Sequence, residues 1–151
     1  MLESCDYFSR FINVKTLVWR KTTFVKKISL TLFGGKVFQN LHTLDLSENE
    51  IEELDEEIFR YFPRLTHLKL NNNRIIMISW STLAPIWFNL SEFQLNGNPL
   101  DCHDYCWIYD EDKYPHPQFF DSTSCQYHKR GQVRLTFFHK LVEMINECPA
   151  R

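Results

Sequence analysis

One internal recurrence limits what this chain can fold into. Leu41, Leu44, Leu46, Asn49, Ile51 and Leu54 reappear as Leu65, Leu68, Leu70, Asn73, Ile75 and Ile78, each 24 residues further on. A third copy opens with Leu90, Phe93, Leu95 and Asn98, shifted by 25. A period of this length is one supersecondary unit that cannot bury its apolar side alone, so successive copies must stack. The unit reads LxxLxLxxNxI. Its LxL centre places alternate side chains on opposite faces of a short strand, with the leucines inward. The chain then turns, and backbone groups left inside the turn need partners. An asparagine offers both amide donors and a carbonyl acceptor, so Asn49, Asn73 and Asn98 are expected to form a structural ladder between neighbouring copies.

A weaker copy precedes these. Val14, Leu17, Trp19, Thr22 and Phe24 fit the frame with threonine in the asparagine place, and Phe8 and Phe11 fit the end of a unit before it. This copy is 27 residues long, so an irregular convex side is expected from Lys26 to Phe38. It also starts inside a unit, with no dedicated cap over Phe8, Phe11 and Trp19. Because a solenoid end needs a polar cover, further units upstream are expected, the alternative being a short natural form.

The frame resembles that of the leucine-rich repeat, specifically so from Leu41 to Ile78. After Asn98-Pro99-Leu100-Asp101-Cys102 the period stops, and cysteines follow at 102, 106, 125 and 148. This stretch is similar to the cysteine-rich C-terminal flanking cap of extracellular leucine-rich-repeat proteins. Arg130-Gly131, Leu135 and a stretch with Phe137, Leu141, Val142 and Ile145 at helical spacing add to the likeness. The resemblance implies an α/β fold: a right-handed leucine-rich-repeat solenoid with a short parallel sheet and a disulfide-bonded C-terminal cap. Degenerate or partial repeats would occupy 1–40, regular repeats 41–98 and the cap 99–151.

The resemblance also implies pairing of Cys102 with Cys125 and of Cys106 with Cys148, although four cysteines by themselves permit three connectivities. Three residues separate Cys102 from Cys106 where most relatives have one, which puts the usual helix after the second cysteine in doubt. A zinc reading competes, because Cys102, Cys106, Cys125 and His128 have the spacing C-x3-C…C-x2-H. It leaves Cys148 unused and takes no account of the repeats. Cys5 is left over, either for a partner upstream or as a buried thiol. Disulfides imply an oxidising compartment, so the expected place is extracellular, secreted or on a receptor or adhesion ectodomain. The first residues carry Glu3, Asp6 and Arg10 and do not form a signal peptide. Asn89-Leu90-Ser91 is a glycosylation sequon in that setting.

Charge is uneven. Seven Lys/Arg lie before residue 41 against Glu3 and Asp6, whereas Asp45 to Glu57 holds eight acidic residues and no basic one. The basic residues alternate with Phe and Ile and form no dense block, which argues against nucleic acid as partner. No apolar run approaches the roughly 18 residues of a membrane span. Neither a phosphate loop, a GxSxG, an HExxH nor a carboxylate pair in a setting that separates acidities is present, so the chain is read as a non-enzyme without cofactor or resident metal.

Recognition is then the task of the concave sheet. Thr43, Asp45 and Ser47 on one strand, His67, Lys69 and Asn71 on the next, and Glu92 and Gln94 on the third are expected to face solvent and contact a protein or glycan ligand. Thr16, Val18 and Arg20 extend the row. Two rival readings are a structural end segment whose ligand sits on other repeats, and an intracellular leucine-rich-repeat scaffold.

Overall fold

The computed structural model describes residues 6–104, 123–129 and 132–137. Four three-residue strands, β1 (Thr16–Val18), β3 (Thr43–Asp45), β5 (His67–Lys69) and β6 (Glu92–Gln94), form one parallel sheet in the order β1-β3-β5-β6. Register follows the recurrence: Leu17, Leu44, Leu68 and Phe93 are cross-strand partners. Every connection leaves the sheet, turns, and returns one strand further along, so each unit is one coil of a solenoid.

The core is built as the frame requires. Leu41, Leu44, Leu46, Leu65, Leu68, Leu70, Ile75 and Leu95 are fully buried. Phe33, Phe38 and Phe62 fill the side away from the sheet, with Phe33 and Phe62 edge to face at 4.9 Å between ring centres. On that convex side short 3-10 turns at Leu30–Phe33, Ile58–Tyr61 and Trp87–Asn89 bring each coil back toward the next strand. A single α-turn, α1 (Trp80–Leu83), occupies the third coil, capped by the Ser79 hydroxyl on the Thr82 amide.

The asparagines close the turns after the strands. Asn73 donates to Leu46 O at 2.9 Å and Leu70 O at 3.0 Å, and its Oδ1 accepts from Ile51 N at 3.1 Å. Asn98 repeats this one coil later with Leu70 O, Leu95 O and Ile75 N. Thr22 takes the equivalent place in the first coil, and both its amide and its hydroxyl donate to Asn49 Oδ1 at 2.8 Å. Just before each of these residues the backbone is left-handed, at Lys21, Glu48, Asn72 and Gly97. Gly97 belongs there, because a Cβ would collide with the Asn72 side chain as well as sit at φ +75°.

Two expectations for the first coil need correction. Phe24 does not enter the core: it is half exposed, while Val25 and Ile28 are buried. The coil is longer than its successors, so the apolar residue that re-enters falls later, and Phe24 instead lies edge-on to Trp19. The irregularity expected from Lys26 to Phe38 is confined to the later part of that span, around Gly34 and Gly35. β2 (Lys27–Ile28) pairs in parallel with β4 (Glu53–Leu54), and Leu30 N donates to the Asp55 carboxylate. One of the three extra residues precedes β2, where the offset to the next coil falls from 27 to 26, and the other two fall around Gly34 and Gly35, both with positive φ.

Phe8 is buried and Trp19 partly so, with Tyr7 stacked on Trp19, although Phe11 is half exposed. Beyond β6, the strands β7 (Ser124–Lys129) and β8 (Gln132–Phe137) form an antiparallel hairpin. Gln126 N donates to Leu100 O at 2.7 Å, which fastens β7 beside the last coil. Phe137, expected to begin a helical stretch, ends β8. Leu141, Val142, Ile145, Cys106, Cys148 and Cys5 lie outside the described residues.

Candidate binding face

The concave face is laid out by the ladder register. One row runs Thr16, Thr43, His67, Glu92 and the next Val18, Asp45, Lys69, Gln94. With neighbouring parallel strands about 4.8 Å apart, four of them present a surface roughly 15 Å across. Thr43, His67, Lys69, Glu92 and Gln94 are all partly exposed on it. Lys69 Nζ pairs with Glu92 Oε1 at 3.1 Å, and the same oxygen accepts from Gln94 Nε2. His67 Nδ1 lies 2.8 Å from the Thr66 hydroxyl. The ion pairs Arg20–Asp45 and Lys69–Glu92 balance, so the face offers directional donors and acceptors without a strong field of either sign.

Asp45 and Ser47 do not face solvent as expected; only 3% and 2% of their surfaces are exposed. Their side chains satisfy each other. Ser47 donates through both its amide, at 3.1 Å, and its hydroxyl, at 2.6 Å, to Asp45 Oδ1. Arg20 closes over Asp45 Oδ2 from the adjacent coil. Burial by itself would push the Asp45 carboxyl up, but the bonds from Arg20 and Ser47 outweigh it and hold the group below the ordinary carboxylate range. The same bond and charge raise the Arg20 guanidinium. A short acid and a serine two residues apart on one strand face, beside an arginine of the neighbouring coil, were the sequence signs of this closed triad.

Asn71 sits lower on the face and is only partly exposed; its Oδ1 is buried and has no donor among the described residues. Asn89 is exposed at the end of the Trp87–Asn89 turn, away from the sheet residues. Cys102 and Cys125 are joined by a disulfide with Cα atoms 5.1 Å apart, and both are buried. Two of the four candidate zinc ligands are thereby consumed in an S–S bond. No group of three or more metal-ligating side chains comes together among the described residues.

Residues 39–100 match the family model described as leucine rich repeat, and this segment is a leucine-rich-repeat solenoid of the α/β class. The class fits a protein-binding module. Over 62 residues the chain is 34% identical to the high affinity nerve growth factor receptor of Mus musculus, a match covering 41% of this chain and 8% of the receptor. It is 30% identical over 74 residues to the same receptor of Gallus gallus, 49% of this chain and 9% of that one. It is also 41% identical over 66 residues to the probable U2 small nuclear ribonucleoprotein A' of Drosophila melanogaster, 44% of this chain and 24% of the relative. The matched stretch thus spans under a tenth of the receptors and about a quarter of the ribonucleoprotein. No helix among the described residues is long and apolar enough to cross a membrane.

Proposed function

We propose that the chain is an extracellular recognition module of a leucine-rich-repeat receptor, adhesion or secreted protein, and that it binds a protein or glycan through Thr43, His67, Lys69, Asn71, Glu92 and Gln94. The observation that carries this is the parallel sheet itself, which holds Thr43, His67 and Glu92 in one row and Lys69 and Gln94 in the next, with Asn71 just beyond the strand. A preformed surface binds with little ordering cost. Degenerate coils at 1–40, regular repeats at 41–98 and a cap at 99–151 make one recognition unit. No catalytic role is part of this reading.

The extracellular setting is supported by the Cys102–Cys125 bond, since buried disulfides persist where the milieu is oxidising. In that setting Cys106 pairs with Cys148, and Asn89 carries a glycan. The likeness to a nuclear ribonucleoprotein favours a second reading, an intracellular scaffold. Expression behind a heterologous export signal and in the cytosol of the same cells separates the two. The extracellular reading expects a secreted, folded chain with no free thiol at Cys102 or Cys125 and a glycosidase-sensitive mass shift lost in Asn89→Gln. A chain that folds with equal stability only when reduced contradicts it.

A further inference from the structure

His67 lies on β5, with a strand on either side of it, and its contacts fix which ring nitrogen carries the proton. Its Nδ1 is 2.8 Å from the Thr66 hydroxyl oxygen, and that same oxygen is 3.1 Å from His42 O. The hydroxyl has one proton to give, and a carbonyl oxygen can only accept. If Thr66 gave that proton to Nδ1, its oxygen would face His42 O with no hydrogen between them. Only the Nδ1–H form makes hydrogen bonds of both contacts, His67 donating to Thr66 and Thr66 to His42 O. The backbone holds this relay in place, because the Thr66 and His67 amides also donate to His42 O, each at 2.9 Å.

The neutral ring therefore carries its lone pair on Nε2. That nitrogen has no partner among the described residues and is not among the buried unpaired atoms, so it is open to solvent on the concave face. Neighbouring donors do not answer it: Lys69 Nζ and Gln94 Nε2 both bond Glu92 Oε1. Protonation would change this one atom. Nδ1 carries hydrogen in both charge states, so the bond to Thr66 is kept while Nε2 turns from acceptor into donor. The charged groups around the ring are the Lys69–Glu92 pair, on its own strand and on β6, and beyond Thr43 the closed Arg20–Asp45 pair. His42, in the preceding coil, holds its own Nδ1 2.6 Å from Asn40 O. In the two rows His67 is the one imidazole, the side chain whose charge ordinarily changes between about pH 5 and 8.

We infer that His67 sets the specificity of the concave face by accepting, through Nε2, a hydrogen bond from an N–H group of a protein ligand, and that acidification weakens binding by turning this acceptor into a donor. The inference rests on the reading of that face as the ligand site and names the chemistry the ligand must bring. A ligand with a donor at this point completes the ring's hydrogen bonding. One with an acceptor there sets two lone pairs against each other, which is how an unpaired group discriminates. The two rows hold no Phe, Tyr or Trp on which a sugar ring could stack, and this favours a protein as the source of the donor.

Two measurements on the full chain test this. Long-range proton–nitrogen NMR of the chain labelled in its histidines should show the neutral His67 ring protonated at Nδ1, and Thr66→Val should lower that fraction. A parent ring protonated at Nε2 overturns the inference. In the second, a photoreactive residue replaces Thr43, the cross-strand neighbour of His67, in chains expressed in the producing cells. Irradiation should join a protein to it in a yield that falls about three- to tenfold from about pH 7.5 to about pH 5.5. His67→Gln, whose amide oxygen accepts at either pH, should keep the capture and remove its pH dependence. His67→Leu should lower the yield about three- to tenfold at the higher pH, with a melting temperature close to the parent's. The two possible failures are distinct. No capture from Thr43 at either pH defeats the face as the ligand site, and this inference with it. Capture that ignores pH in the parent, keeps its pH dependence in His67→Gln, or yields a species without polypeptide defeats the inference alone.

Discussion

Arg20 and Asp45 sit on adjacent coils and form an ion pair in which the acid is buried and the base is partly exposed. The pair is therefore unequal. Removing Arg20 leaves a carboxylate with only Ser47 to answer it, whereas removing both charges leaves neither exposed to that cost. Arg20→Met should lower the melting temperature, and Asp45→Asn added to it should recover part of the loss. A double-mutant cycle by thermal unfolding reads this directly; additive losses would show that the two residues are not coupled.

The same pair sets a pH dependence. The folded Asp45 carboxyl is held below its ordinary value, so the folded state binds fewer protons there than the unfolded chain, whose carboxyl titrates near 3.9. Its contribution to stability is present above that unfolded value and is lost as pH falls through the lower folded value. The stability difference between the parent and Asp45→Asn should be level from neutrality down to about pH 5 and shrink below about pH 4. Denaturant midpoints across that range check it, and a difference that grows on acidification contradicts it.

The asparagine ladder ought to be costly to remove. Asn73→Ala leaves Leu46 O, Leu70 O and Ile51 N without their side-chain partner in a buried turn. A loss of about 2–4 kcal/mol is expected, as for two or three buried groups left unsatisfied. Asn49→Ala, in a less buried turn, should cost less. Urea titrations of the two variants measure the difference; equal and negligible losses would mean that water replaces the amide at both turns.

Leu70→Asp should unfold the repeats outright, because a carboxylate would take the place of a side chain with no exposure. The expected loss exceeds about 4 kcal/mol. Thr43→Asp, on the partly exposed row of the same sheet, should leave the circular dichroism melt nearly unchanged. A Leu70→Asp chain that melts like the parent would refute the inward assignment of the LxL leucines.

The repeat made much of this architecture legible. Leu44, Leu68 and Phe93 share a register because a fixed period and a two-residue alternation leave no other consistent stacking. What the period did not carry was the closure of side chains over one another. Asp45 has the same alternation as Lys69 and Gln94, yet it is buried, because Ser47 and Arg20 reach it from two directions. Phe24 failed for a different reason: the first coil has extra residues, and a frame transferred by counting misplaces the point of re-entry. The convex pairing of β2 with β4 joins residues 26 positions apart, with no apolar alternation to announce it.

The disulfide offers a local test. Cys102 and Cys125 close a loop with a sequence separation of 23, for which the chain-entropy account gives about 3 kcal/mol. Cys102→Ser should free β7 from the last coil, and the Gln126 amide, bound to Leu100 O, should lose its protection from hydrogen exchange. Leu44 and Leu68 amides should stay protected longer. Loss of protection throughout the sheet at the same rate would show that the hairpin and the repeats unfold as one unit.

Ligand should lie against the concave sheet. A photoreactive amino acid placed at His67, on that face, or at Glu53, on the convex ladder, in chains expressed in the producing cells tests it most directly. Irradiation should join one defined partner to the His67 position and not to Glu53, and Lys69→Glu in the same chain should remove the product while the melting temperature holds. A partner captured equally from both positions, or from Glu53 alone, would contradict it.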